Sequence, residues 1–193
     1  MARTRDPRTG PALLGAAAEL FQAHGIGASG MEEIAKAAGV TKPTLYRHFL
    51  SKEELLAAYL VQRHEKLDAE LATWVKSVEP EERPLAVIGW LCDSLSHPDF
   101  KGCAFVRAYA ELYDDEQVRK RAKERKRVML DTIEVACSAA EARDPKALAA
   151  ELALIIEGAT TMAFVTGDHH GATAAARRLA RAALIAAQIE HYE

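Results

Sequence analysis

The sequence has few cysteines and no long uninterrupted hydrophobic run, and each shortage excludes a class of protein. Three scattered cysteines among 193 residues are too few for a disulfide framework or a zinc site. No apolar run reaches the roughly 20 residues that span a bilayer, and the basic start "MARTRDPRTG" leads into no apolar signal core. We therefore expect a cytoplasmic protein that does not contact a membrane.

Strand patterns are missing as well, since long alternating runs of β-branched residues do not occur. Alanine, the strongest helix former, is present 38 times instead. Hydrophobic residues make up 49% and charged residues 27% of the chain, which is ordinary for a soluble globular protein. These proportions predict an all-α protein with one sizeable core, or a small domain joined to a larger one.

Positive charge is concentrated at the N-terminal end, although the formal net charge of the chain is −3. Residues 1–52 hold seven Lys or Arg against four Asp or Glu, whereas the other 141 residues hold 18 against 24. A basic end on an acidic body suggests that this end meets a polyanion.

Proline, glycine and capping residues divide the chain into about nine helices, three short ones followed by six mostly longer ones. Pro11 is expected to open the first helix, whose inner stripe would run through Leu14, Ala17, Ala18 and Phe21. Ser29 or Gly30 would cap the second helix. The pair Ser51 and Glu54 forms a capping box at the start of a long fourth helix.

The second and third helices have the residue types of a helix-turn-helix. Ala35 gives a small side chain where the helices cross, Gly39 suits a turn that needs positive φ, and Leu45 is an apolar anchor facing back. With Leu45 inward, helical spacing puts polar side chains on or beside the outer face: Lys42, Thr44, Arg47 and His48. Cationic and hydroxyl side chains of this kind bind phosphates and base edges.

The start of the third helix has two interpretations. Thr41 is a good N-cap, but Lys42 would then be helical directly before Pro43, which sterics disfavour. The helix would alternatively begin at Pro43.

The segment "EEIAKAAGVTKPTLYRHFLSKEELL" closely resembles the DNA-binding signature of the TetR family of bacterial transcriptional regulators. The resemblance covers roughly residues 10–56. It implies an N-terminal three-helix DNA-binding domain, residues 1–55, joined by a long helix to a helical effector-binding and dimerisation domain, residues 56–193. It also implies DNA contacts: base edges and nearby phosphates for Lys42, Pro43 and Thr44, and the sugar-phosphate backbone for Tyr46, His48 and Lys52. Arg47 would read a guanine or clamp a phosphate.

Two residues depart from the family pattern. Gly30 stands where the family often has a capping, phosphate-touching Thr, and Glu32 stands where some members have a basic residue. Glu32 would repel phosphate unless it is turned away.

The C-terminal half suggests assembly and ligand binding. The eighth helix is apolar on two sides and the ninth is rich in alanine, so together they make a plausible self-complementary dimer interface. Both helices could instead bury those faces within one subunit. By resemblance, a small-molecule effector would enter a cavity in this domain, and the large groups on the relevant helices are candidates for lining it: Trp90, Cys103, Phe105, Tyr109, Met129 and Phe164. Each of them could equally be ordinary core packing.

No other site is predicted. The sequence offers no nucleophile triad, phosphate-binding glycine loop or paired carboxylates, so we expect neither an enzyme nor a bound cofactor or metal. The basic run "RKRAKERKR", residues 119–127, is expected to be a solvated helix face.

The function implied is a homodimeric repressor released from a palindromic operator by an effector. The alternatives are a helical ligand-binding or protein-interaction module that no longer binds DNA, and an activator using the same contacts.

Overall fold

The computed structural model describes residues 7–187, and within that range the chain forms nine α-helices and no strand. This agrees with the predicted all-α fold. In chain order the helices are α1 (Thr9–His24), α2 (Met31–Ala37), α3 (Lys42–His48), α4 (Lys52–Lys76), α5 (Arg83–Ser96), α6 (Ala104–Glu111), α7 (Glu116–Ala139), α8 (Pro145–Thr166) and α9 (His169–Ala186). A short 3₁₀ turn, Pro80–Glu82, precedes α5.

Local sequence signals set many of the helix ends. The side chains of Ser51, Asp144 and Asp168 accept backbone N–H groups at the starts of α4, α8 and α9, at 3.2, 3.0 and 2.8 Å. The Glu54 carboxylate accepts the N–H of Leu50 at 2.6 Å, one residue before the N-cap, and not the N–H of Ser51 that a capping box uses. Gly167, with φ of +71°, ends α8 in the left-handed conformation that glycine adopts without strain.

The first helix differs from the prediction at its start and on its inner face. It begins at Thr9 rather than at Pro11, and its buried residues are Leu13, Ala16, Ala17 and Phe21. Neighbouring positions 13–14 and 16–18 are all apolar, so periodicity alone does not separate two adjacent faces. Packing determines which face is buried. The Phe21 ring lies edge-on against Tyr59 of α4, with 5.6 Å between the ring centroids.

The described chain forms two compact units, residues 7–64 with 104–122 and residues 65–103 with 123–187. This division differs from the expected domains 1–55 and 56–193, because α6 and the start of α7 belong with the N-terminal helices. The cause is polar. Glu111 accepts the N–H of Gly27 at 2.8 Å, and Arg107 donates to the carbonyls of Phe21 and Gln22 at 3.2 and 3.1 Å.

The second unit has an apolar core drawn from α4, α5, α7, α8 and α9. From α9 come Ala172, Ala176, Ala180 and Leu184, four residues apart, so that small side chains let this helix lie close to its neighbours. The larger groups of the core include Leu71, Val87, Ile88, Leu91, Leu95, Ile133, Leu148, Leu152 and Ile156.

The eighth helix is the most apolar of the long helices. With a mean hydropathy of 1.6 over its most apolar window, α8 is long and apolar enough to cross a membrane by those two criteria. A core helix of a soluble protein meets the same criteria. Here one face of α8 packs in the core of the second unit, with Leu148, Leu152 and Ile156 buried.

The basic run 119–127 is only partly a solvated face, so that expectation is wrong for Arg125. Its side chain is buried, and its guanidinium donates to the carboxylate of Asp68 on α4 at 2.5 Å. Lys126 pairs with Glu157 on α8. A charge-rich helix that packs inside a helical unit cannot expose every residue, and the buried charge is paired as burial demands.

Candidate nucleic-acid interface

The helices α2 and α3 meet in the predicted helix-turn-helix arrangement. Ile34, Ala35 and Leu45 are buried between them. Gly39 has φ of +68° in the turn, and the N–H of Val40 donates to the carbonyl of Ala35 at 2.9 Å. A small residue, a left-handed glycine and an inward leucine thus fix the angle at which α3 leaves α2.

The start of α3 resolves the question that the sequence left open. Thr41 is the N-cap in extended conformation, its hydroxyl accepts the N–H of Thr44 at 3.4 Å, and α3 begins at Lys42. The alternative start at Pro43 is wrong. The helical bond from Leu45 N–H to the Thr41 carbonyl, at 3.1 Å, together with the cap, offsets the strain of a helical residue before proline.

The start of α2 decides between the two N-caps that the sequence left open, Ser29 and Gly30. Gly30 is the N-cap and offers no side-chain bond. Ser29 is fully buried, and its hydroxyl donates to the carbonyl of Gly25 at 2.7 Å. Ser29 therefore replaces neither the cap nor the phosphate contact of the family threonine, because its hydroxyl stabilises the preceding loop.

The outer side of α3 carries most of the residues predicted to meet DNA. Lys42, Pro43, Tyr46 and Arg47 are exposed, whereas Thr44, His48 and Lys52 are half-buried. Hydroxyl and guanidinium groups are linked along this side: the Thr41 and Thr44 hydroxyls lie 2.9 Å apart, and Arg47 donates to the Thr44 hydroxyl at 3.1 Å. The outer side of α3 is therefore a connected polar surface rather than a set of separate side chains.

Glu32 is a member of this surface whose role the sequence did not identify. Its carboxylate accepts a hydrogen bond from the Lys42 ammonium at 3.3 Å, across ten positions of the chain. Both side chains are well exposed. Glu32 is thus turned toward a cation, which removes the objection that it would face phosphate unpaired.

Lys52, at the first position of α4, lies beside the loop between α1 and α2. Its ammonium donates to the carbonyl of Gly27 at 3.1 Å. The N–H of the same Gly27 donates to Glu111, so charged side chains bind both the backbone N–H and the backbone carbonyl of Gly27. The helix start next to Lys52 also lowers the pKa of the Glu53 carboxyl, through a backbone N–H and then the Ser51 hydroxyl.

The candidate effector residues fall in both units. Phe105, buried, and Tyr109, half-buried, belong to the first unit, and the other four belong to the second: Trp90, Cys103, Met129 and Phe164. Trp90 is 6% exposed and Met129 is also in the core. Phe164 is 45% exposed and its ring packs over Gly102, where an added Cβ would lie 2.9 Å from the ring.

Trp90 has one unusual property among these residues. Its indole N–H is buried and has no hydrogen-bond partner among the described residues. The large majority of buried donors are paired, so an unpaired one needs an explanation. By contrast, burial raises the pKa of the Cys137 thiol to about 12, which leaves that thiol an inert core group at neutral pH.

Comparison with known proteins gives consistent matches. Residues 13–59 match the family model described as bacterial regulatory proteins, tetR family. The transcriptional activator FasR of Mycolicibacterium smegmatis is 57% identical over 60 residues, which is 31% of this chain but only 26% of FasR. The chain thus aligns with about a quarter of the length of that relative.

Solved structures match over nearly the whole chain. A TetR-family transcriptional regulator from Streptomyces coelicolor superimposes with a TM-score of 0.87 at 28% identity, covering 95% of this chain and 97% of that one. A TetR-type regulator from Streptomyces avermitilis is 31% identical, covers 91% of this chain and 97% of its own, and gives a TM-score of 0.73. With the helix-turn-helix geometry, these matches establish that the chain belongs to the TetR family of bacterial regulatory proteins.

Proposed function

We propose that this protein is a DNA-binding transcriptional regulator, most simply a repressor that an effector releases from a palindromic operator. The observation that carries the proposal is the outer side of α3. There a connected set of hydroxyl and cationic groups lies exposed on a helix whose inner side is fixed by Leu45. Such a helix enters the major groove by its N-terminal residues.

The proposed division of labour follows the chemistry of each side chain. Lys42, Pro43 and Thr44, at the N-terminal end of α3, approach base edges and nearby phosphates. Tyr46, His48 and Lys52 contact the sugar-phosphate backbone. Arg47 donates to the Thr44 hydroxyl, and its planar guanidinium suits either a guanine edge or a phosphate.

Dimerisation through α8 and α9 is the second part of the proposal. A stripe on α8 with four-, three- and four-residue spacing runs through Leu154, Gly158, Thr161 and Val165, and all four positions are exposed. Leu154 is 74% and Val165 73% exposed. An added Cβ at Gly158 would meet nothing within 4 Å, so a second helix could approach closely there.

Two further large apolar side chains, Leu179 and Ile185, are about half-exposed on the neighbouring helix α9. A large exposed apolar patch is typical of an interface. A two-fold dimer would bury the same patch of both copies and present two recognition helices to half-sites about 34–36 Å apart.

DNA binding is tested by fluorescence anisotropy with a duplex from upstream of the gene, measured over a range of salt concentrations. We expect specific binding that weakens steeply with salt. Lys52→Gln should weaken binding to every sequence and reduce the salt slope by about one. Lys42→Gln should instead change the base preference at one operator position. Absence of specific binding to this duplex, or a slope unchanged by Lys52→Gln, would contradict the proposal.

A second candidate role is transcriptional activation, which the name of FasR as an activator favours. Both roles use the same DNA contacts, so binding experiments do not distinguish them. A reporter gene under the bound promoter does, since deletion of the regulator raises expression for a repressor and lowers it for an activator.

Effector binding within the second unit is supported by the unpaired indole N–H of Trp90. Trp74 and Trp90 are the two tryptophans of the sequence. In the Trp74→Phe variant, Trp90 is therefore the sole indole fluorophore. A ligand carrying a hydrogen-bond acceptor should shift its emission and release the protein from DNA. A ligand that releases DNA without changing Trp90 emission would exclude Trp90 from the effector site.

A further inference from the structure

A groove on the second unit lies between α5 and α9. Its volume is about 380 Å³, and five residues line it: Leu85, Ala174, Arg177, Arg178 and Arg181. Three arginines in one groove of this size are unexpected in a chain whose net charge is negative.

The sequence of α9 explains why these arginines point outward together. Ala172, Ala176, Ala180 and Leu184 occupy its core side. Arg177 and Arg181 are one helical turn apart on the flank of that side, and Arg178 is the adjacent residue. No Asp or Glu occurs in α9, His169–Ala186, so the helix provides no carboxylate to offset them.

These arginines also lack partners on other elements. Among residues 7–187, none of the three makes an ion pair or a hydrogen bond. Other cations of the second unit are paired, for example Arg125 with Asp68 and Arg127 with Glu124 and Asp131. Like charges one helical turn apart repel each other, so the groove concentrates positive potential without internal compensation.

We propose that this groove binds a small molecule carrying two or more phosphate groups. Guanidinium groups bind phosphate through paired N–H donors, and three of them match the charge of a di- or triphosphate better than that of one carboxylate. The volume is in the range of small-ligand sites. Leu85 and Ala174 add apolar surface against which the non-phosphate part of the ligand packs.

Isothermal titration calorimetry of the full chain with tripolyphosphate tests the proposal, with sulfate at equal ionic strength as a reference. We expect saturable binding of tripolyphosphate with one site per chain and little heat from sulfate. Arg177→Gln/Arg181→Gln should weaken binding by roughly a hundredfold, about tenfold for each guanidinium that no longer binds a phosphate.

The matched control removes the same charge elsewhere. Arg143 and Lys146 are exposed in the same unit, and Arg143→Gln/Lys146→Gln should leave the affinity within a factor of about two of the original. Ala174→Leu fills the groove without changing charge and should abolish binding. Equal reductions of affinity in the groove and control variants, or unchanged binding in Ala174→Leu, would overturn the proposal.

Two other occupants have distinct signatures in the same variants. If Arg177→Gln/Arg181→Gln turns a dimer into a monomer in sedimentation, the groove is a contact between copies and the proposal fails. If the variant loses DNA affinity and salt dependence but tripolyphosphate gives no saturable binding, the arginines serve the duplex instead, and the proposal fails equally.

Discussion

At the scale of single residues, the outer side of α3 combines groups that attract a duplex with one that competes for them. Lys42 is proposed to meet base edges, yet its ammonium is bound to Glu32 at 3.3 Å. An exposed pair of this type contributes only about 0–1 kcal/mol, so DNA can displace Glu32 from Lys42. The pair would then limit indiscriminate binding, because every DNA contact by Lys42 must replace an existing partner.

We therefore expect Glu32→Gln to bind both specific and unrelated DNA a few-fold more tightly, with a salt slope steeper by about one phosphate contact. The measurement is anisotropy against two duplexes over a range of salt concentrations. Glu33→Gln is the control, since Glu33 is an exposed neighbour of equal charge on the same helix. If both variants bind DNA equally more tightly, the cause is the loss of a negative charge and not the loss of the pair between Glu32 and Lys42.

Residue-scale prediction from the sequence succeeds where the interacting groups are close along the chain. Ala35, Gly39 and Leu45 lie within eleven positions of each other, and their roles follow from helix geometry alone. The N-cap of α3 also lies within this range, but two local preferences opposed each other there and only the structure decided between them. The partner of Glu32 lies ten positions away in another helix, where periodicity gives no register.

At the scale of helices, the loop between α1 and α2 is held by groups from α4 and α6. Lys52 binds the carbonyl of Gly27 and Glu111 binds its N–H. Gly25, with φ of +88°, lies where an added Cβ would come within 3.2 Å of the Glu111 carboxylate. The loop therefore has neither conformational nor steric freedom for a side chain at this position.

Removing the Glu111 carboxylate should loosen that loop. We expect Glu111→Ala to lower the free energy of unfolding by about 1–2 kcal/mol, since the variant cannot form the charge-assisted bond to a backbone N–H. Urea unfolding followed by circular dichroism measures this. Hydrogen exchange should show the Gly27 amide opening roughly tenfold faster.

The control for Glu111→Ala is Asp114→Ala, which removes an exposed carboxylate three residues further along the same unit. It should leave Gly27 exchange unchanged. If the Gly27 amide of Glu111→Ala exchanges its hydrogen as slowly as in the unchanged protein, the bond to Glu111 does not hold the loop.

Contacts between helices explain what the sequence did not predict at this scale. Arg125 and Asp68 are 57 positions apart, and Glu111 and Gly27 are 84 positions apart. In a charged stretch such as residues 119–127, composition alone gives no indication of which residue turns inward. The helix count, the helix-turn-helix and the Ser51 cap of α4 were predictable because each depends on a few neighbouring residues.

At the scale of the whole molecule, the proposed dimer depends on the exposed stripe of α8. Leu154→Lys places a charge at its start and should convert the dimer to a monomer at micromolar concentration in sedimentation velocity, because a buried, unpaired ammonium is strongly unfavourable at an interface. Operator affinity should fall as well, because a monomer contacts only one half-site.

The control is Val135→Lys. Val135 is an equally apolar residue on α7 that is 67% exposed, so a lysine there should leave assembly intact. A Leu154→Lys protein that remains dimeric, or a Val135→Lys protein that dissociates, would move the interface away from α8.

The bond between Gly27 and Glu111 also bears on how the chain is made. A ribosome delivers the N-terminal helices first, and domains generally fold as they emerge. Here the first compact unit includes residues 104–122, so it stays incomplete until α6 has been synthesised. A nascent chain that ends after α4 would carry a recognition helix whose supporting loop lacks one of its two charged partners. Grafting residues 1–64 onto another protein would reproduce that unfinished intermediate, and a working chimera would have to include α6 as well.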